Sequence, residues 1–465
     1  MMKFKKAISA SLAVLMAVSM AACATQENPD SKTGAGLKDE NADKGLEVMG
    51  NAVQYDPNHL VNKGDPIQID WWIWDGEDLF KKYIEQYEEM HPNVDIKVVV
   101  NPFNDYWTKL PLALKGKDGP AIFNIHNSYH ENIIKYCEPY DIPNEDIFAD
   151  FTGAEAHEID GKIYYIDYGM MTAAFYYNKE LWNKAGLSEQ DIPKTWDELA
   201  EVAQKLTIKD EDGNIIQAGL NLNGGIHGML LGLHYQHGEN LMKEDGETPN
   251  INSDAMKETA KMLIDFYDKY HVGSKDFGTD GGQSFGQGQS AMVYNWGFYN
   301  GMMKNDYPDI DYGTFQIPTL DGNVPYAYDR YNGESTLGIN KNNSAEVMEV
   351  AQDFNRFYLA NKEMQKEMCL LYSVFPANKA LDDDKDILAN PALSVVAGSL
   401  DRYIWPGPMP ATFENTLKKS VEDILYNGVT IDDAFDAAQE TIQNDLKQTA
   451  FESVESQYKY VSEKK

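Results

Sequence analysis

Cysteine is scarce: the chain has three in 465 residues, Cys23, Cys137 and Cys369. So few exclude a disulfide framework. Cys137 and Cys369 could form one bridge, but two buried free thiols are the expected case. Basic residues are also short, 40 Lys and Arg against 74 Asp and Glu, for a formal charge of −34. Nucleic acid and anionic lipid repel such a chain, so nucleic-acid binding is excluded as a function class. Past the first twenty or so residues no apolar run reaches the length of a membrane-spanning helix. Among catalytic signatures, H-E-x-x-H and Walker A are missing. Glycoside hydrolysis would need two opposed carboxylates, and among 74 acids a pair such as Asp75 and Glu334 can be picked at will. No enzyme is expected. His126 and His130 are four apart, and His227, His234 and His237 lie close together, but no second cluster completes a metal site. "KDEDGN", 209–214, lacks the further ligands of a calcium loop. Neither metal nor cofactor is expected.

What is present begins with a leader. "MMKFKK" is basic, "AISASLAVLMAVSM" is a short apolar run, and "AAC" follows. Residues 1–22 read as a secretory signal peptide. Met20-Ala21-Ala22-Cys23 resembles the bacterial lipobox, which implies cleavage before Cys23 and lipid attachment there, with several acyl chains anchoring the protein. Ordinary secretion is the alternative. Residues 23–63 are polar and read as a disordered tether.

From residue 66 the pattern alternates. "PIQIDWWIW", "VDIKVVV" and "AIFNIH" read as strands, and "GEDLFKKYIEQYEEMHP" and "NDYWTKLPLALKGKDGP" as helices between them, with Pro111 a candidate kink. Three alternations in about sixty residues argue for parallel βαβ units. Asp160-Gly161 marks a hairpin turn, Thr195 and Glu198 a capping box, and "STLGIN" a strand returning to the first sheet. Helices are expected over 344–372, 413–426 and 431–446.

Five stretches carry a family resemblance. "DGKIYYIDYGMMTAAFYYNKELWNKAGLSEQDIPKTWDELAEVAQKLT", "KDGPAIFNIHNS", "FGQGQSAMVYNWG", "YNGESTLGINKNNSAEVMEVAQDFNRFY" and "IWPGPMPATFENTLKKSVEDIL" occur in this order. Together they resemble the extracellular solute-binding proteins of ABC sugar importers. The resemblance implies an α/β, two-lobed, periplasmic-binding-protein-like fold of type II. Each lobe would be a mixed, mainly parallel sheet flanked by helices. It implies a first lobe of 64–168 plus 333–372 and a second of 169–332 plus 373–465. A hinge would lie near Gly169, Arg330–Gly333 and Phe375–Pro376. It further implies a monomeric receptor held at the outer face of the cell membrane through Cys23, closing on a small-molecule solute and docking on ABC permease subunits.

Ligands of parallel α/β sheets meet the loops at the carboxyl ends of strands. That places Trp74, Asp75 and Gly76 after the first strand, and Asn124, His126 and Asn127 after the third, at a cleft. The last three could instead cap the next helix. Trp71 alternates to the core, and Trp72 is evenly divided. Trp296 ends "AMVYNW", Trp405 sits on the Pro/Gly loop "YIWPGPMP", and Tyr168 precedes the first crossing. Glu334 and Arg330 flank the return crossing and could bond hydroxyls or form a surface ion pair. Indoles stack on the C–H faces of sugars while carboxylates and amides bond the rim. The expected solute is an oligosaccharide. Acidic sugars are disfavoured by the protein's own charge unless local arginines are present, and only scattered ones are visible. A peptide or polyamine, or a surface carbohydrate-binding role without transport, is the alternative.

Overall fold

The structure is a computed structural model that describes residues 45–449 and 451–458. The signal segment, Cys23 and the tether as far as residue 44 lie outside the described residues.

The first sheet grows from the alternation seen in the sequence. It holds β1 (Ile67–Ile73), β2 (Val94–Val100) and β3 (Ile122–Asn124), with helices α1 (Glu77–Met90) and α2 (Phe103–Ala113) between them. β1 pairs in parallel with both neighbours. Trp71 and Ile73 point into the core at 0% exposure, while Trp72 is half-buried. α1 buries Phe80, Tyr83, Ile84 and Tyr87 on one face, the spacing that a 3.6-residue period requires, and leaves Leu79 half-buried. Pro111 is accommodated in the last turn of α2.

The chain then crosses through β4 (Asp167–Met171) into β5 (Ala173–Asn178) and the capped helix α3 (Trp196–Leu206), whose Thr195–Glu198 capping box is complete. β5 is the middle strand of a second sheet, between β6 (Met292–Trp296) and β7 (Tyr312–Phe315). Its ladder is antiparallel, unlike the mainly parallel pairing expected for both lobes. Parallel pairing in this lobe, among the described residues, is limited to the two-residue ladder of Asp329–Arg330 with Tyr403–Ile404 and to single bridges such as Ala218 with Ser290 and Thr195 with Thr319. β5 is fed directly by β4, and long loop-and-helix excursions separate it from β6 and β7, connections long enough to deliver a neighbour in either direction.

The return crosses through β8 (Asn332–Ser335) into β9 (Leu337–Ile339), which lies antiparallel on β3 and completes the first sheet. α4 (Ala345–Ala360) and α5 (Lys362–Tyr372) follow as two helices where one was expected. Asn361 separates them, and its side chain caps α5. β10 (Phe375–Pro376) is the third crossing. β8 and β10 flank β4, so the three crossings form one antiparallel sheet with Gly333 opposite Met170 and Pro376 opposite Gly169. α6 (Ala411–Asn427) and α7 (Ile431–Asp445) pack together near the end of the chain.

The tether needs correction. Residues 23–63 were expected to be disordered, yet Val53, Tyr55 and Val61 are buried to 1% or less, and Met49–Gly50 pairs with Gln54–Tyr55. Sparse apolar residues hid a polar clamp. The Tyr55 hydroxyl lies 2.5 Å from His91 Nε2, Tyr87 donates to Asp353 at 2.6 Å, and His59 Nε2 lies 2.6 Å from the other Asp353 oxygen. Asp353 thus fastens the 53–61 segment onto α1 and α4. The hydrogen bond to Asp353 raises the His59 pKa above its ordinary value, against a smaller opposing effect of burial. A raised histidine pKa stabilises the fold fully below the unfolded value, about 6.5, and that contribution is lost as pH rises through the folded pKa. Comparing the urea midpoints of wild type and His59→Gln at pH 6 and pH 9 should therefore show a wild-type advantage at pH 6 that shrinks at pH 9. For so exposed a pair the advantage is below about 1 kcal/mol. An advantage independent of pH would contradict a charged clamp.

Cys137 and Cys369 are free and buried, and burial pushes the Cys137 thiol up to about 12. No helix among the described residues is long and apolar enough to cross a membrane.

Candidate functional site

A cleft of about 630 Å³ opens where the first sheet, the second sheet and the crossings meet. Trp74 and Asp75 reach it from the end of β1, Asn124, His126 and Asn127 from the end of β3, and Trp296 as the last residue of β6. Tyr168 and Glu334 reach it from the crossings, and Trp405 from the late Pro/Gly loop. Nine of the ten residues expected to meet ligand therefore line one space. Gly76 does not. It is the left-handed N-cap of α1, with φ +74°, and a Cβ there would sit 2.5 Å from the Tyr372 hydroxyl. Its part is to turn the chain and admit Tyr372.

The tryptophans differ in what they offer. Trp74 is half-buried, its ring edge-on to Phe103 at 5.6 Å and Tyr106 at 5.2 Å. Trp296 is half-buried beneath the Arg330 guanidinium, 4.8 Å from the ring centroid. Trp405 is only 3% exposed and is stacked between His157 and Tyr331, at 5.0 and 6.2 Å. Its backbone N–H donates to the Tyr458 hydroxyl at 2.6 Å, and Tyr458 also reaches Tyr331. Trp405 is a wall of the cleft with little free face. Phe103 and Phe298, exposed at 37% and 41%, supply open aromatic surface instead.

The amides of the third-strand loop are mostly occupied. Asn124 Oδ1 accepts from Trp71 Nε1 at 2.9 Å. Asn127 donates to Asp167 and to the Gly333 carbonyl and accepts from Tyr165, so it ties the loop to the crossing sheet. His126 accepts from the Ser128 N–H and caps the short turn that follows, the alternative reading of that position. Burial lowers the His126 pKa to about 4, so the ring is neutral.

The acids of the cleft are displaced from their usual values. Burial raises the Asp75 carboxyl, opposed by the Tyr372 hydroxyl that donates to it at 2.9 Å. Burial pushes Glu334 up to about 8, with the Asp167 and Asp75 charges adding and the Asn332 hydrogen bond opposing. Near neutral pH Glu334 is then largely protonated and can donate to a hydroxyl. Glu414 is held low, first by its hydrogen bond with His227 and then by the Arg330 charge. No group of three or more His, Cys, Asp or Glu placed to hold a metal ion occurs among the described residues.

Sequence reasoning missed Tyr129, His227, Tyr372, Glu414 and Lys418, all in the lining. They sit on helices or turns, where a regular apolar period masks a polar residue turned to the cleft. Two aromatics stood at element ends that could have drawn notice: Tyr372, which ends α5, and Tyr129, which ends the short turn Asn127–Tyr129.

Comparison with known proteins supplies a frame. Residues 82–395 match the family model for bacterial extracellular solute-binding proteins. The diacetylchitobiose binding protein DasA of Streptomyces coelicolor is 25% identical over 346 residues, covering 71% of this chain and 78% of that protein. An arabinooligosaccharide-binding protein of Halalkalibacterium halodurans is 22% identical over 426 residues, 83% and 92% of the two chains. A binding protein of Brucella abortus is 24% identical over 254 residues, or 51% of this chain, and the match spans only 59% of that relative's length. Among solved structures, the maltose/maltodextrin-binding domain of Bdellovibrio bacteriovorus bound to maltotriose superposes with a TM-score of 0.67 at 22% identity, covering 82% of this chain and all of that one. UgpB of Mycobacterium tuberculosis in complex with glycerophosphocholine gives 0.68 at 19% identity, covering 82% and 99%. These likenesses establish the type II binding-protein fold.

Proposed function

Because the chain belongs to the bacterial extracellular solute-binding protein family, we propose that its cleft captures an oligosaccharide, without converting it, for delivery to the permease subunits of an ABC importer. One observation carries the reading: aromatic rings at the strand ends of two separate sheets face one space whose lining also holds carboxylates, amides and a guanidinium. Apolar faces flanked by polar groups match a sugar ring. The relatives named for diacetylchitobiose and arabinooligosaccharide point the same way.

In this reading the lobes are 64–168 plus 333–372 and 169–332 plus 373–465, and the three paired crossings are the hinge. Solute would bias closure through contacts made to both sides. Lipid attachment at Cys23 would hold the receptor, as a monomer, at the outer face of the membrane.

A thermal-shift screen of the purified chain against mono- and oligosaccharides, amino acids, peptides and polyamines tests this. A ligand at a hundredfold over its dissociation constant should add about 2.7 kcal/mol. Trp296→Ala should weaken the bound sugar about 5- to 30-fold, the loss of about 1–2 kcal/mol of ring contact, with the unliganded melt little changed. Stabilisation by polyamines or peptides alone would overturn the sugar assignment. Collapse of the unliganded Trp296→Ala chain would make Trp296 a core residue.

A further inference from the structure

The chain has three arginines, Arg330, Arg356 and Arg402, and Arg330 alone lines the cleft. Arg356 is spent at the surface, donating to the Asp141 carbonyl. Arg330 is only 8% exposed. Its backbone is fixed from two sides: Arg330 pairs with Ile404 in a short parallel ladder, and its N–H donates to Asp329 Oδ1 at 2.7 Å. Gly232, on the helix Ile226–Leu233, lets that helix approach closely, since a Cβ there would lie 2.7 Å from Arg330 N.

The guanidinium so placed has no acid in contact; the Glu414 and Asp329 charges act on it from beyond ion-pair distance. No ion pair or side-chain hydrogen bond involves it among the described residues, and its Nε is buried without a partner. Asp329 is adjacent, but its oxygens serve Tyr294 at 2.6 Å and the Arg330 backbone. Glu414 turns to His227, 3.4 Å away. Trp296 offers a ring face, which attracts the cation but accepts no hydrogen bond in its plane. A buried cation left in this state is costly unless something completes it. A neutral sugar hydroxyl can accept one bond and leaves the charge uncompensated. A carboxylate matches the planar fork with two parallel bonds and cancels the charge. A dianion fits less well, because Asp75 and Glu414 share the cleft and only Lys418 adds a second cation there.

We propose that Arg330 is the specificity residue of the cleft and that the solute is an acidic oligosaccharide, whose uronic acid carboxylate seats on the Arg330 guanidinium. This rests on the oligosaccharide reading and narrows it. The chain's net charge of −34 does not forbid it. Screening limits the reach of distant surface charges to about 8–10 Å, while Arg330 acts at contact distance inside the cleft.

The test uses the full chain and matched pairs of oligosaccharides from pectin, alginate, hyaluronan and glucuronoxylan, each as the uronate and as its carboxyl-reduced or methyl-esterified counterpart. Isothermal titration should show at least one uronate binding at least about tenfold more tightly than its neutral twin. Arg330→Gln should abolish that preference, and Arg330→Lys should keep part of it. The unliganded Arg330→Gln chain should melt no lower than wild type, because an uncompensated charge has been removed. Neutral oligosaccharides that bind as tightly as their acidic twins, or a preference that survives Arg330→Gln, would overturn the proposal and leave the sugar reading standing. Should glycerophosphate or inorganic phosphate bind while the uronates do not, Arg330 serves a phosphate and the uronate assignment fails. Absence of binding by any oligosaccharide, acidic or neutral, would end both readings together.

Discussion

Trp71→Ala is expected to lower the unfolding free energy by about 3–5 kcal/mol, the range for truncating a large buried aromatic. The indole is fully enclosed, 4.5 Å from the Phe80 ring, 5.4 Å from Phe354 and 6.4 Å from Tyr358, so it joins β1 to both α1 and α4. It also donates to Asn124, the residue that ends β3 at the cleft. Truncation opens a cavity and strips Asn124 Oδ1 of its donor at once. Trp71→Phe separates the two effects: most of the volume stays, and the loss should drop to about 1–3 kcal/mol from the unmet acceptor and residual gap. Urea denaturation followed by circular dichroism reads both. A Trp71→Ala loss under about 1 kcal/mol would mean that the site can collapse around the missing ring.

Gly333→Ala is the second large effect. Gly333 lies on β8, where a Cβ would sit 1.7 Å from Asp167 Oδ2 and 2.8 Å from Asn127 Nδ2. Neither neighbour can move freely. Asp167 accepts from Asn127 and Ser335 and lies 3.2 Å from the buried His157 ring. Asn127 in turn bonds the Gly333 carbonyl. Overpacking costs about 1–3 kcal/mol, and here the upper end is expected because a buried carboxylate must be pushed off its partners. Unlike Trp71→Ala, this change falls between the crossings that join the two sheets. It should therefore weaken solute binding by more than its stability cost explains, seen as a raised dissociation constant at temperatures where the variant is fully folded. A variant that is destabilised yet binds normally would show that the crossings are not coupled to the cleft.

Elements with a strong local pattern were legible in the sequence. The period of α1, the capping box of α3 and the Asp160-Gly161 turn follow from residues near one another in the chain, and "STLGIN" was legible as a strand that returns to the first sheet. The positions at strand ends were legible too, because a parallel sheet sends its loops to one edge. What the residues did next was not. Asn127 and His126 reach the cleft but spend their polar atoms on the protein, a matter of partners some 40 and 206 positions away for Asn127 and of a local turn for His126. Trp405 looked like an open platform on a rigid loop, yet Tyr331, His157 and Tyr458 enclose it. The 53–61 segment looked like tether because its few apolar residues have no period, and Asp353, which holds it, lies nearly 300 positions later. Arg330 read equally as a hydroxyl contact or as half of a surface ion pair. Only the enclosed structure shows that its Nε is buried without a partner and that no carboxylate touches the guanidinium.

The bond from the Trp405 backbone N–H to the Tyr458 hydroxyl, with Glu455 accepting from Tyr235, Leu241 and Met242 close by, has a consequence for the order of assembly. The segment that braces one wall of the cleft follows in the chain nearly everything it braces. Both sheets can form before residues 453–458 dock, but that wall is finished only when they do.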